Sequence, residues 1–142
     1  MEEKKAAVFL DQTKARFIHL KNGFATFAGV IESDYEPHPR YGGEGSNQAR
    51  FGRNPYQGSN NEFRKHRQER EEQKTYFRRL SEELQAFDDI LLFGPGETKK
   101  ELFNHLGNEY SFRQKSIHVQ NSDYLSDNQL LEMVRDFYLF SH

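Results

Sequence analysis

Residues 88–106, Asp-Asp-Ile-Leu-Leu-Phe-Gly-Pro-Gly-Glu-Thr-Lys-Lys-Glu-Leu-Phe-Asn-His-Leu, constrain the fold more than any other stretch. Ile90, Leu91, Leu92 and Phe93 form an unbroken apolar run. Such a run fits an interior strand covered on both faces, because a strand with one wet face alternates. Gly94-Pro95-Gly96 must end it, since Pro donates no ladder hydrogen bond and Gly accepts the φ angles of a sharp turn. Thr98-x-x-Glu101 then has the spacing of a capping box. Leu102, Phe103 and Leu106 are expected to face the sheet, and Gly107 to stop the helix. A strand, a turn and a helix in this order form half of a parallel crossover, so the chain is expected to be α/β. A glycine turn opening a helix can hold phosphate, but neither G-x-x-x-x-G-K-[ST] nor G-x-G-x-x-G is present, and Glu97 puts a negative charge where the anion would sit. A plain structural turn is the expectation.

Upstream, Ala6–Leu10 and Ala15–Leu20 read as strands joined by the turn residues of Asp11-Gln12-Thr13-Lys14. Asn22-Gly23 is a strong hairpin signal, because both residues tolerate the positive φ of a type I′ turn. Phe24–Ile31 makes the third strand of an antiparallel meander. Ser59-Asn60-Asn61 are expected to cap a long helix that ends near Phe87. Tyr76, Phe77, Leu80, Leu84 and Phe87 lie on one apolar helical face. The preceding half of the helix has none, and offers i,i+4 charge pairs at Lys65/Glu69 and Arg67/Glu71 instead. Phe112–Val119 reads as an edge strand with Ile117 and Val119 inward. Ser126-x-x-Gln129 is a second capping box, opening a helix with Leu130, Leu131, Val134, Phe137 and Tyr138 on one face. The order is β-β-β-α-β-α-β-α. It fits a ribonuclease H-like α/β fold, a mixed five-stranded sheet of three antiparallel and then parallel strands flanked by helices. All 142 residues are expected to form one domain.

The meander and the long helix are separated by residues 32–61, which contain no apolar run able to form a strand or an amphipathic helix. Pro37, Pro39, Pro55 and five glycines are interleaved there with Arg40, Arg50, Arg53 and with Tyr35, Tyr41, Phe51 and Tyr56. Net charge is only -2, yet residues 38–79 hold ten Lys or Arg against five Glu, while the rest of the chain holds ten against seventeen Asp or Glu. A segment of about +5 in a chain otherwise about -7 points to a polyanionic partner. Arginines among aromatic rings suit RNA, where guanidinium groups meet phosphate and rings stack on bases. An unstructured linker of the same composition is the alternative.

Several chemistries are excluded or left without support. With no cysteine there is no disulfide framework, thiolate metal site or Cys nucleophile. The six histidines show no H-x-x-x-H spacing, and no G-x-S-x-G elbow occurs. No apolar run could span a membrane, and the Met1–Lys5 start has no signal-peptide core, so the expectation is a cytoplasmic protein with neither membrane nor small-molecule cofactor. Mean hydropathy is -0.99 while Phe and Tyr number 13 and 7, so rings are expected to carry much of the burial.

Three features together resemble the central domain of the class-1 peptide-release factors of eukaryotes and archaea, their Pelota relatives, and bacterial release-factor-like proteins. They are the strand pair Ala7–Leu20, the glycine-rich stretch Gly42-Gly43-Glu44-Gly45-Ser46-Asn47-Gln48-Ala49-Arg50-Phe51 leading to a basic helix, and the strand, turn and helix of Ile90–Phe103. The resemblance implies a ribosome-, tRNA- or rRNA-binding module of translation. RNA contact then falls to Arg40, Gly42, Gly43, Gly45, Gln48, Arg50, Phe51 and Arg53 of the loop and Arg64 and Lys65 of the helix. Release factors carry Gly-Gly-Gln in this loop to place the hydrolytic water. Here the matching position reads Gly42-Gly43-Glu44 or Glu44-Gly45-Ser46, and a carboxylate beside RNA phosphates disfavours docking there. Binding without peptidyl-tRNA hydrolysis is the expectation, and no residue is assigned a catalytic or metal-ligating role. The enzymatic alternative is a metal-dependent nuclease using Asp11, Glu83, Asp88 and Asp89. A protein-interaction domain with no nucleic-acid role is the third.

Overall fold

A computed structural model describes the backbone of residues 4–34 and 55–140, with side chains throughout except at 55–63. Its five strands are β1 (Lys5–Leu10), β2 (Lys14–Lys21), β3 (Phe24–Glu32), β4 (Asp89–Gly94) and β5 (Ser116–Asn121). Among the described residues three α-helices accompany them: α1 (Pro55–Leu84), α2 (Thr98–Gly107) and α3 (Asp127–Phe140). The sheet order is β3-β2-β1-β4-β5, antiparallel between β3, β2 and β1 and parallel between β1, β4 and β5. This is the mixed sheet and element order expected from the sequence.

Alternation along each strand sorts side chains into two cores. Val8, Leu10, Phe17, Ile90 and Leu92 face α1 and α2, meeting Tyr76, Phe77, Leu80, Leu84, Leu102 and Leu106. Ala7, Phe9, Ile18, Leu91 and Phe93 face α3, meeting Leu130, Val134 and Tyr138. All six residues of β4 are buried, as an interior strand between two helical layers requires. Ile117 and Val119 of the edge strand β5 pack on the first core, as expected.

The Asn22-Gly23 turn has φ of 55° and 82°, as a type I′ hairpin needs. A feature that composition does not announce lies farther along β3. Register slips between Phe17↔Gly29 and Ile18↔Phe27, which leaves Ala28 as an extra residue. An extra residue reverses which face the rest of a strand presents. Ala25 and Phe27 therefore pack on the α3 side while Ile31, of the same parity, packs on the α1 side.

Five sequence expectations are corrected. Helix α1 begins at Pro55, so Ser59-Asn60-Asn61 lie within it rather than cap it, and the end of the expected 32–61 loop is helical. Proline is tolerated at a first helical position because its missing N–H would have no intrahelical partner there. The helix closes at Leu84, with Phe87 N–H donating to the Leu84 carbonyl. At α2 the Thr98/Glu101 box does not form, because Glu97 is the N-cap and Glu101 Oε1 instead accepts from Gln73 Nε2 of α1 at 3.0 Å. Phe103 is 40% exposed rather than facing the sheet. Phe112 is buried in a 3₁₀ turn, Tyr110–Phe112, and the strand starts only at Ser116. By contrast the second box is complete, with Gln129 N–H donating to Ser126 Oγ and Ser126 N–H to Gln129 Oε1.

Candidate nucleic-acid interface

Between Arg64 and Arg79, helix α1 carries seven Lys or Arg against three Glu. Arg64, Lys65, Arg67, Arg70, Lys74, Arg78 and Arg79 are all exposed. Tyr76, Phe77, Leu80 and Leu84 occupy the opposite side and seat the helix on the sheet. At 100° per residue, Arg64, Arg67, Lys74 and Arg78 fall within about a quarter of the circumference, one stripe along the solvent side. Glu71 shares that stripe, so the arm is positive but not uniformly so. One of the expected charge pairs, Lys65/Glu69, does not form. Glu69 lies 4.0 Å from His66 Nδ1 rather than pairing with Lys65, and Gln68 donates to Glu72 at 3.3 Å.

Of the residues assigned to RNA contact, Arg64 and Lys65 stand on this arm. Arg40, Gly42, Gly43, Gly45, Gln48, Arg50, Phe51 and Arg53 lie outside the described residues. Helix α1 carries the arm from its third turn onward, and Ser33 follows the end of β3. Between Ser33 and the helix is a cleft of about 270 Å³. Gln12, Ser33 and Thr98 line one side of it, and His66, Glu69, Arg70 and Gln73 of α1 the other. Sequence reasoning had not found it, because its walls come from four separate elements. His66 and Glu69 pair on its α1 side, and Gln73 donates to Glu101 beside them.

The turn below the cleft is fixed from several directions. Tyr76 OH donates to the Asp11 carbonyl at 3.0 Å, fastening α1 to the β1–β2 turn. Asp11 Oδ1 accepts from Thr13 N–H, Thr13 Oγ1 and Lys14 N–H, and Oδ2 accepts from Tyr124 OH at 2.6 Å. Burial alone would raise the Asp11 pKa, but these bonds, Tyr124 foremost, hold it below its ordinary 3.8. A depressed carboxylate stabilises the fold above its unfolded pKa and loses that contribution as pH falls through the folded value. Acid unfolding of the wild type below about pH 4 is therefore expected to be steeper than that of Asp11→Asn, measured as denaturation midpoint against pH. Parallel curves would contradict this role.

The carboxylates of the nuclease alternative do not meet. Asp11 follows the C-terminal end of β1, whereas Asp89 pairs with Lys5 at its N-terminal end. Six residues of strand separate the two levels, about 20 Å. Asp88 Oδ2 accepts from Lys4 N–H. Asp89 is buried, 3.0 Å from His118 Nε2 and bonded to Tyr138 OH. Burial, and then Asp89, push the Tyr138 phenol above its ordinary pKa. Among the described residues no cluster of His, Asp or Glu has the geometry of a metal site, and no helix is long and apolar enough to cross a membrane.

With the geometry established, comparison with known proteins places the fold. No protein-family model matches the sequence, and no curated protein matches it significantly. Among solved structures it is similar to Archaeoglobus fulgidus Pelota, with a TM-score of 0.58 and 10% identity over 96% of this chain and 32% of that one. Thermoplasma acidophilum Pelota gives 0.56 and 14% identity over 99% of this chain and 35% of that one. The archaeal translation termination factor aRF1 gives 0.54 and 14% identity over 94% and 34%. The chain spans about a third of the length of each. At these identities the likeness is one of fold, and it is the fold that the sequence resemblance implied.

Proposed function

We propose that this chain is a ribosome- or RNA-binding module of translation that docks through residues 32–61 and the basic arm of α1, without hydrolysing peptidyl-tRNA. The observation that carries this reading is the arm itself. Seven exposed cations stand on one helix whose other side is anchored in the core, and the helix continues directly from the Arg- and aromatic-rich segment. The fold shared with two Pelota proteins and a translation termination factor supports a role in the same process. In this reading Arg64 and Lys65 neutralise phosphates, together with Arg40, Arg50 and Arg53, while Phe51 stacks on a base. Gly42, Gly43 and Gly45 let the backbone approach the RNA closely, and Gln48 hydrogen-bonds to it. All 142 residues act as one domain. The absence of Gly-Gly-Gln from the loop is the ground for assigning binding rather than hydrolysis.

Charge reversal at the two described positions tests it. Arg64→Glu with Lys65→Glu is expected to weaken binding to ribosomes or tRNA about tenfold at low salt, and to flatten the plot of log affinity against log salt by about two phosphate contacts. Both side chains are exposed, so the melting temperature should stay put. Unchanged affinity and slope in a folded variant would remove the arm from the interface.

A further inference from the structure

An open sheet has two edges, and those of this one are not alike. At β3 the extra residue Ala28 breaks the pairing register, and a bulge of this kind twists an edge away from neighbours. At the other edge β5 pairs with β4 without a break from Ser116 to Asn121, and it contains neither a Lys, Arg, Asp or Glu nor a proline. Among the described residues no strand pairs with its outer side. Ser116 N–H donates to the Asp88 carbonyl and Ser122 N–H to the Gly94 carbonyl, so the even-numbered residues face β4. In a parallel ladder the alternate residues turn outward, which sets the N–H and C=O groups of Ile117, Val119 and Asn121 along the open edge. Exposed rings flank this edge in both helical layers. On α2, Glu101 and His105 meet Gln73 and Phe77 of α1. Phe103, 40% exposed, stands about 160–200° round the helix from them, on the β5 shoulder. On α3, the Phe137 ring lies 5.2 Å from that of His118 in β5, and Phe140, 78% exposed, follows it on the same shoulder.

From these observations we propose that β5 pairs antiparallel with β5 of a second copy of this chain, joining two five-stranded sheets into one. The edge is complementary to itself. With Val119 opposite Val119 of the second copy, Ile117 falls opposite Asn121, so the outward residues meet one another as hydrogen-bonded pairs. Arg113 and Lys115 precede the strand and Asp123 follows it, so an inverted copy brings Lys115 toward Asp123 at both ends of the seam. A parallel neighbour would set like charges side by side. Lys115 Nζ donates to the carbonyls of Gln85 and Phe87 at 2.9 and 2.6 Å, which fixes it there and leaves its third N–H for a carboxylate. Opposite charges at the two ends of one strand match the same strand inverted, and this selects a second copy over an unrelated strand. The two-fold axis also turns Phe103 and Phe140 of each chain toward the other, covering rings that a single chain leaves wet. Antiparallel pairing keeps corresponding faces of the two sheets on one side. The two α1 helices then lie on the same face, about 25 Å apart, and two basic arms meet one surface. This pairing goes beyond the RNA reading and does not depend on it.

Analytical ultracentrifugation of the full chain through a dilution series tests the proposal. The wild type is expected to sediment as a monomer–dimer equilibrium. Asn121→Pro removes one outward N–H from each copy and should raise the dimer dissociation constant about tenfold or more, whereas Asn121→Ala keeps the N–H and the dimer. Asn121 is exposed and its N–H lies outside the β4 ladder, so Asn121→Pro should keep the wild-type circular-dichroism spectrum. Phe103→Glu leaves the strand intact, gives a second reading should the proline variant not fold, and is expected to weaken the dimer by a similar factor. A wild type that stays monomeric at every concentration would overturn the proposal. So would a folded Asn121→Pro or Phe103→Glu that dimerises as the wild type does. Equal loss of the dimer in Asn121→Ala would overturn it too, since the contact would then rest on a side chain and not on strand pairing.

Discussion

Gly94→Ala is expected to destabilise the fold by about 3–5 kcal/mol, lowering the melting temperature by about 10 °C or more. Gly94 ends β4 with φ of 147°, and a Cβ there would lie 2.4 Å from the Leu10 carbonyl oxygen and 3.3 Å from its nitrogen. Those atoms belong to the backbone of the neighbouring strand, so no rotamer change relieves the clash. β1 and β4, buried at the centre of the sheet, would have to part at this end, and the bond from Ser122 N–H to the Gly94 carbonyl would move with them. Gly96 is the matched control. Its φ is 72°, but a Cβ there meets nothing within 4 Å, so Gly96→Ala costs only backbone strain, about 1 kcal/mol. Equal losses at the two positions, measured by chemical denaturation, would contradict the close-approach argument.

Leu80→Ala is the second large effect, about 3–4 kcal/mol. Leu80 is fully buried in the cluster that joins α1 to β1, β2 and β4, and shortening it leaves a cavity whose walls are sheet residues that cannot collapse. Arg78→Ala, two residues away on the exposed side, should stay within about 0.5 kcal/mol in stability. The two variants separate the roles of one helix. Leu80→Ala lowers stability and, while folded, keeps RNA affinity, because Leu80 is enclosed by the core and reaches no surface. Arg78→Ala keeps stability and loses part of the affinity. A common pattern for both would mean that anchoring face and charged arm are not distinct.

What could be read from the sequence, and what could not, follows the range of the interactions involved. The Asn22-Gly23 turn, the unbroken run of β4 and the Ser126/Gln129 box each rest on local chemistry, and each formed as read. The Thr98/Glu101 spacing was equally good on paper. It failed because the helix is capped one residue earlier, at Glu97, and Gln73, 28 residues away, holds the Glu101 carboxylate. Phe103 follows the apolar count of its helix, but only Leu102 and Leu106 point at the first core, so its ring was left half outside. The Ala28 bulge went unread because alanine fits either a bulge or a regular strand, although Gly29 beside it, with φ of 152°, is a residue that often marks one. For the candidate site the charge asymmetry was plain in the sequence, and it led to Arg64 and Lys65 on an exposed arm. The cleft beside α1 was not legible, since it is closed by residues from several elements that only the tertiary fold brings together.

The central claim, that residues 32–61 and the arm form a polyanion-binding surface, is tested most directly by co-sedimentation with ribosomes across a salt series. The full chain is compared with a variant in which residues 42–51 are replaced by a neutral linker. The account predicts binding at low salt that falls steeply as salt rises and is largely lost in the variant, because phosphate contacts release counterions. No sedimentation of the wild type at low salt, or equal sedimentation of the two proteins, would contradict it.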